Sequence, residues 1–207
     1  MRTPARLAAL TLATVVAAGC SAPAPVPAPS TPSGSGSGHG QHGSPEPGTA
    51  ELIPVLLATA AAQDVASATA QGYASTLNTL GCFQDPEAGG MGVHYVKDAL
   101  MDAEVDGLHP EAFVYELSAG GKIAGLVALE YIVPVDAWTA TEPPELFATP
   151  FHRHPTLPLW VLHLWLWKDN AGGMFADFNP AVRQCPAGVP IFGRDLPRPA
   201  PSTPRGR

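Results

Sequence analysis

The apolar positions change period once along the chain. From Glu51 to about Gln71 the sequence is rich in alanine, with Leu52, Leu56 and Ala60 at helical spacing and Gly72 as a stop signal, so one N-terminal helix is expected. Beyond Cys82 the pattern becomes that of strands. Gly89-Gly90-Met91-Gly92 reads as a loop and Val93-His94-Tyr95-Val96 as a short extended segment. Phe113 to Leu117 and Leu126 to Val133 read as two strands joined across the hairpin signal Gly120-Gly121. Leu159 to Trp167, the most apolar run of the folded region, reads as the last strand. A helix followed by strands predicts an α+β fold, with the N-terminal helix packed on a mainly antiparallel sheet, in a single domain over residues 49–185.

Alternate side chains of a strand point to opposite faces, so parity assigns each polar residue a side. In the last strand Trp160, Leu162, Leu164 and Leu166 form one face, the expected core. Val161, His163, Trp165 and Trp167 form the other, an aromatic face with one histidine that suits a cavity wall or covered groove. Glu130 shares its face with Leu126, Ala128 and Ile132, where a carboxylate needs a partner or a proton. Glu116 and His94 are likewise single polar side chains in extended apolar segments.

The ends of the chain are of different composition. Leu7 to Gly19 is a short apolar segment behind Arg2 and Arg6, with small residues before Cys20, which is the order of a secretory signal. Val16-Ala17-Ala18-Gly19-Cys20 resembles a lipobox, which implies lipidation of Cys20, cleavage before it and a domain held on the outer side of a bacterial membrane. Residues 21–48 alternate Pro and then Gly-Ser with almost no large apolar side chain, a disordered tether reaching at most ~100 Å. Residues 186–207 read as a disordered Pro/Arg tail.

The formal charge of −7, more negative still once Arg2 and Arg6 leave with the signal, is the opposite of a nucleic-acid footprint and excludes that partner. Of three cysteines, lipidation of Cys20 leaves Cys82 and Cys185 as one possible disulfide in an oxidising compartment, the alternative being two unpaired buried thiols.

If the strands pair in suitable register, His94, Glu116, Glu130 and His163 converge beside Trp165 and Trp167. Imidazoles and carboxylates in that number suit a divalent transition metal such as Zn, with a position open for water or substrate. The same residues also fit two other arrangements: hydrogen-bonded His and Glu pairs in a polar core, or a metal-free acid/base site with a Glu pKa raised by apolar surroundings. His152 and His154 lie in a loop that can border the mouth of such a cavity. There is no Gly-x-Ser-x-Gly elbow and no phosphate-binding Gly loop of Walker type.

Five stretches carry a family resemblance: Gly90-Met91-Gly92-Val93-His94-Tyr95-Val96, Pro110-Glu111-Ala112-Phe113-Val114-Tyr115-Glu116, Leu129-Glu130-Tyr131-Ile132-Val133, His163-Leu164-Trp165-Leu166-Trp167-Lys168, and Gly173-Met174-Phe175-Ala176-Asp177-Phe178-Asn179-Pro180 leading to Cys185. Together they resemble a group of uncharacterised bacterial exported proteins. The resemblance implies a fold unit and an exported context and assigns no activity. The leading expectation is therefore an envelope lipoprotein that binds a small ligand or a metal ion. A metal- or carboxylate-dependent hydrolase using Glu130 or Glu116 with His94 and His163, and a structural or interaction lipoprotein, are the alternatives.

Overall fold

A computed structural model describes residues 48–194. The signal segment with Cys20, nearly all of the tether and the tail beyond residue 194 lie outside the described residues. The alanine-rich segment folds as α1 (Thr49–Thr59), a 3-10 turn (Ala60–Gln63) and α2 (Val65–Ala70), where the sequence suggested one helix. The break falls at Asp64, whose backbone is extended and whose Oδ1 accepts from the backbone N–H of Ala66 at 3.2 Å, an N-cap that restarts the helix. Gly72 follows with φ of 95°, the left-handed conformation that glycine adopts without steric cost.

The strands are β1 (Ala74–Ser75), β2 (Phe83–Asp85), β3 (Gly89–Val96), β4 (Ala112–Leu117), β5 (Ile123–Pro134), β6 (Glu145–Leu146), β7 (Thr149–Pro150), β8 (His152–Arg153) and β9 (Leu159–Leu164). Seven of them form one antiparallel sheet in the order β1-β3-β4-β5-β9-β8, with β2 also paired to β3, while β6 and β7 make a separate hairpin. The domain is thus α+β, a short helical segment on a mainly antiparallel sheet. Among the described residues no helix is long and apolar enough to cross a membrane.

One face of the sheet packs on the helices: Leu52, Val55 and Ala68 meet Phe113, Tyr115, Leu129, Tyr131, Leu162 and Leu164. Tyr115 ties the layers together, its hydroxyl donating to the carbonyl of Ala62 at 2.5 Å. The opposite face carries His94, Glu130, His163, Ala128 and Trp165 and is covered by the C-terminal segment through Phe178, Val182 and Phe192.

Several local features depart from the sequence reading. Gly89 to Gly92 is the first half of β3 rather than a loop. Its glycines serve close packing, because a Cβ at Gly89 would overlap the carbonyl of Asn179 and one at Gly92 that of Tyr115. A register shift at Val114/Tyr115 leaves Val127 unmatched on β5, so Leu126 joins the helix-side core instead of Glu130's face. Strand β9 ends at Leu164, and Leu166 N–H turns back to the Leu164 carbonyl at 2.9 Å. Alternation therefore stops there, and Trp167 packs with the helix-side core.

Cys82 and Cys185 form a disulfide across 103 positions. Residues 186–194 are not a disordered tail: Cys82 N–H donates to the Pro190 carbonyl at 2.7 Å and Phe192 N–H to the Cys82 carbonyl at 2.9 Å. Phe192 stacks on Phe83 with ring centroids 4.2 Å apart. The cross-link holds the chain beside Cys82, and the apolar Ile191 and Phe192 interrupt an otherwise Pro-rich stretch to anchor it.

Candidate metal centre

Glu130 on β5 and His163 on β9 are direct cross-strand partners, which places their side chains together on the loop-covered face. His94 lies on β3, two strands from β5, with β4 between them. The β4 residue opposite Glu130 is Ala112 and the one opposite His94 is Val114, so the two side chains meet diagonally across β4. His94 Nε2 is 3.0 Å from Glu130 Oε2, and His163 Nε2 is 3.5 Å from Glu130 Oε1. One ligand atom from each of the three residues can be chosen so that all lie within 4.8 Å of one another, and all three side chains are buried.

Buried polar atoms normally find partners, and here several do not. His94 Nδ1 and both ring nitrogens of His163 have no hydrogen bond of good geometry among the described residues. His163 Nδ1 approaches Asp177 Oδ1 at 3.4 Å, and the same oxygen accepts from His152 Nε2 at 2.8 Å. A carboxylate behind the second nitrogen of a histidine is the arrangement that orients metal-ligating imidazoles.

The electrostatics favour ionised carboxylates. Burial works against the charged form of Glu130, but the imidazoles of His94 and His163 outweigh it and hold the carboxyl below its ordinary range, contrary to the upward shift that apolar surroundings alone suggest. Burial likewise opposes ionisation of Asp177, and its contacts with His152 and His163 hold it well below the usual carboxylate range. The hydrogen bond to Asp177 raises the pKa of His152, while burial lowers that of His154. Nδ1 of His154 accepts from the backbone N–H groups of Thr156 and Leu157 at 3.2 and 3.0 Å, which leaves Nε2 as its N–H.

These residues form one end of a cavity of about 350 Å³. His94, Glu130 and His163 from the sequence set line it, as do His152, His154 and Asp177. Glu116 does not join them. It shares a face of β4 with Val114, the partner of His94, but lies one pleat repeat, about 6–7 Å, farther toward the hairpin. There Lys168 Nζ donates to its Oε2 at 2.6 Å and Arg183 N–H to its Oε1 at 2.9 Å, and these contacts outweigh partial burial to lower its pKa.

The groove aromatics are also different from those expected. Trp165 stands behind His163, ring centroids 6.4 Å apart, and donates its indole N–H to the Ala176 carbonyl at 2.5 Å, so it backs the site without lining the cavity. Trp167 is on the other side of the sheet. Phe83, Phe178 and Phe192 line the cavity instead.

Asp177 is the functional candidate that sequence reasoning passed over. It sits in a loop, where parity says nothing. Its one signal is an acidic side chain between Phe175 and Phe178 in an otherwise apolar stretch.

Two imidazoles and one carboxylate are donors suited to Zn, Fe or Mn, and three protein ligands leave coordination open toward the cavity. Comparison with protein-family models, with curated proteins and with solved structures finds no match to this chain.

Proposed function

We propose that this domain is an extracytoplasmic binding module built around a divalent transition metal, Zn²⁺ in the first instance, held by His94, Glu130 and His163. The observation that carries the reading is the convergence of three buried donors together with ring nitrogens that lack hydrogen-bond partners. An unsatisfied buried polar atom costs about 1–3 kcal/mol, and a metal ion among the three donors would take one nitrogen from each buried imidazole. Asp177 supports the reading because it stands where a ligand histidine needs its outer partner.

The extracytoplasmic setting rests on the lipobox-like segment ending at Cys20 and on the Cys82–Cys185 disulfide, which fits an oxidising compartment. The protein would then face away from the cytoplasm on a lipid anchor. The resemblance to exported bacterial proteins points the same way.

The test is equilibrium dialysis of the full chain, with Cys20→Ala to keep it in solution, against buffered Zn²⁺. One tightly held equivalent is expected, and none in the His94→Ala/His163→Ala variant that retains its circular dichroism. No bound zinc in the parent chain, or equal zinc in both, would overturn the reading. Three protein ligands with coordination left open is also the pattern of catalytic zinc sites, which favours a metal-dependent hydrolase as the second reading. That reading requires zinc-dependent turnover of an ester or amide panel.

A further inference from the structure

Away from the three donors and the neighbouring His152, His154 and Asp177 the cavity is mainly apolar, with Thr76, Gln84, Asp98 and Thr156 as its other polar lining. Phe83, Met91, Met101, Leu157, Phe178 and Phe192 are among the side chains that face it. Part of this wall is fixed in place, since Phe192 stacks on Phe83 and its backbone is paired to Cys82, the disulfide residue. A largely preformed apolar pocket with a few convergent polar groups is the form of a small-molecule site, and about 350 Å³ lies at the small end of that class.

The polar end narrows the chemistry. Among the described residues lining the cavity there is no Lys or Arg, and His152 is engaged by Asp177 at 2.8 Å, so a bound metal is the main positive partner for an anionic headgroup. His154 lines the same cavity and has its Nδ1 occupied by two backbone N–H groups, which leaves Nε2–H as a donor. A metal ion with open coordination beside an N–H donor calls for a headgroup that offers oxygen lone pairs and carries a compensating charge. An ammonium would be repelled by the metal. A phosphate or dicarboxylate would bring charge for which this lining holds no further cation.

We infer that the cavity binds a small apolar monocarboxylate, its carboxylate bound to the metal held by His94, Glu130 and His163 and its hydrocarbon part against the phenylalanine wall. This rests on the metal-binding reading above. Without the metal the headgroup would lie beside Glu130 and Asp177 and be refused.

The experiment is isothermal titration of octanoate, benzoate and octylamine into the full chain carrying Cys20→Ala, zinc-loaded and zinc-stripped, with bound zinc measured in each sample. Octanoate or benzoate is expected to bind the zinc form and to weaken by about 100-fold or more when zinc is removed. Phe192→Ala is expected to weaken the carboxylate about tenfold while leaving one equivalent of zinc in place. Zinc bound but neither carboxylate held would overturn this inference and leave the metal reading standing. No zinc bound would overturn both. Equal carboxylate affinity with and without zinc, or octylamine held by the zinc-loaded chain as tightly as the carboxylates, would overturn the headgroup assignment.

Discussion

Changing both Cys82 and Cys185 to alanine should remove a large part of the stability of the domain. The disulfide spans 103 positions, and for a loop of that length the chain-entropy model gives about 4.7 kcal/mol at 25 °C. Cys82 is 1% exposed and its backbone carries the 2.7 and 2.9 Å hydrogen bonds that seat Pro190 and Phe192, each worth about 1 kcal/mol while the segment stays docked. Loss of the cross-link should therefore cost about 4–5 kcal/mol, a large share of the roughly 5–15 kcal/mol that stabilises a domain of ordinary size. Urea unfolding followed by tryptophan fluorescence and by circular dichroism, with EDTA present so that metal does not contribute, measures the difference. Coincident transitions license the two-state treatment. A change below about 1 kcal/mol would refute the reasoning, since it would mean that the bridge neither restricts the unfolded chain nor holds the closing segment.

Other perturbations isolate single features. Glu111 is 4% exposed and its Oε2 accepts from Ile132 N–H, and burial raises its pKa to about 8. The folded state then holds the proton more tightly than the unfolded one, so this stabilisation is complete below the ordinary carboxylate pKa and is lost as pH rises through about 8. Glu111→Gln keeps an acceptor for Ile132 and should flatten the decline in urea midpoint between mildly acidic and mildly basic pH; an unchanged slope would show that Glu111 is not its source. Glu116→Gln should leave zinc stoichiometry at one, because Glu116 is committed to Lys168 and Arg183, and loss of zinc in that variant would return Glu116 to the ligand set. Gly92→Ala should cost about 3 kcal/mol or more, since φ of 118° and the nearby Tyr115 carbonyl both oppose a Cβ; a midpoint within error of the parent would contradict the packing described for β3.

Strand parity carried much of the architecture, and the places where it stopped are physical. It placed Leu162 and Leu164 in the helix-side core and His163 on the other face, because β9 is regular as far as Leu164. It misplaced Trp167 because the strand ends three residues earlier than its apolar run suggests, and Leu126 because one unmatched residue on β5 reverses the alternation. For the site, residue type and face separated His94, Glu130 and His163 from the apolar background, whereas Glu116 satisfied the same criteria and lies too far along β4. Distance along a strand depends on register, and register is set by pairing that no single segment contains. Asp177 and Phe192 belong to segments that approach the sheet only because Cys185 returns to Cys82 and Asn179 pairs with Gly90. Chemistry brought together by such long-range closure has no local pattern to read.

The central claim is that His94, Glu130 and His163 form one metal centre. Anomalous diffraction from zinc-soaked crystals of the Cys20→Ala chain, recorded on both sides of the zinc absorption edge, tests it most directly. One strong peak is expected at bonding distance from a nitrogen of His94, a nitrogen of His163 and an oxygen of Glu130. No peak there, or zinc bound only at exposed groups such as His109 and Asp106, would contradict it.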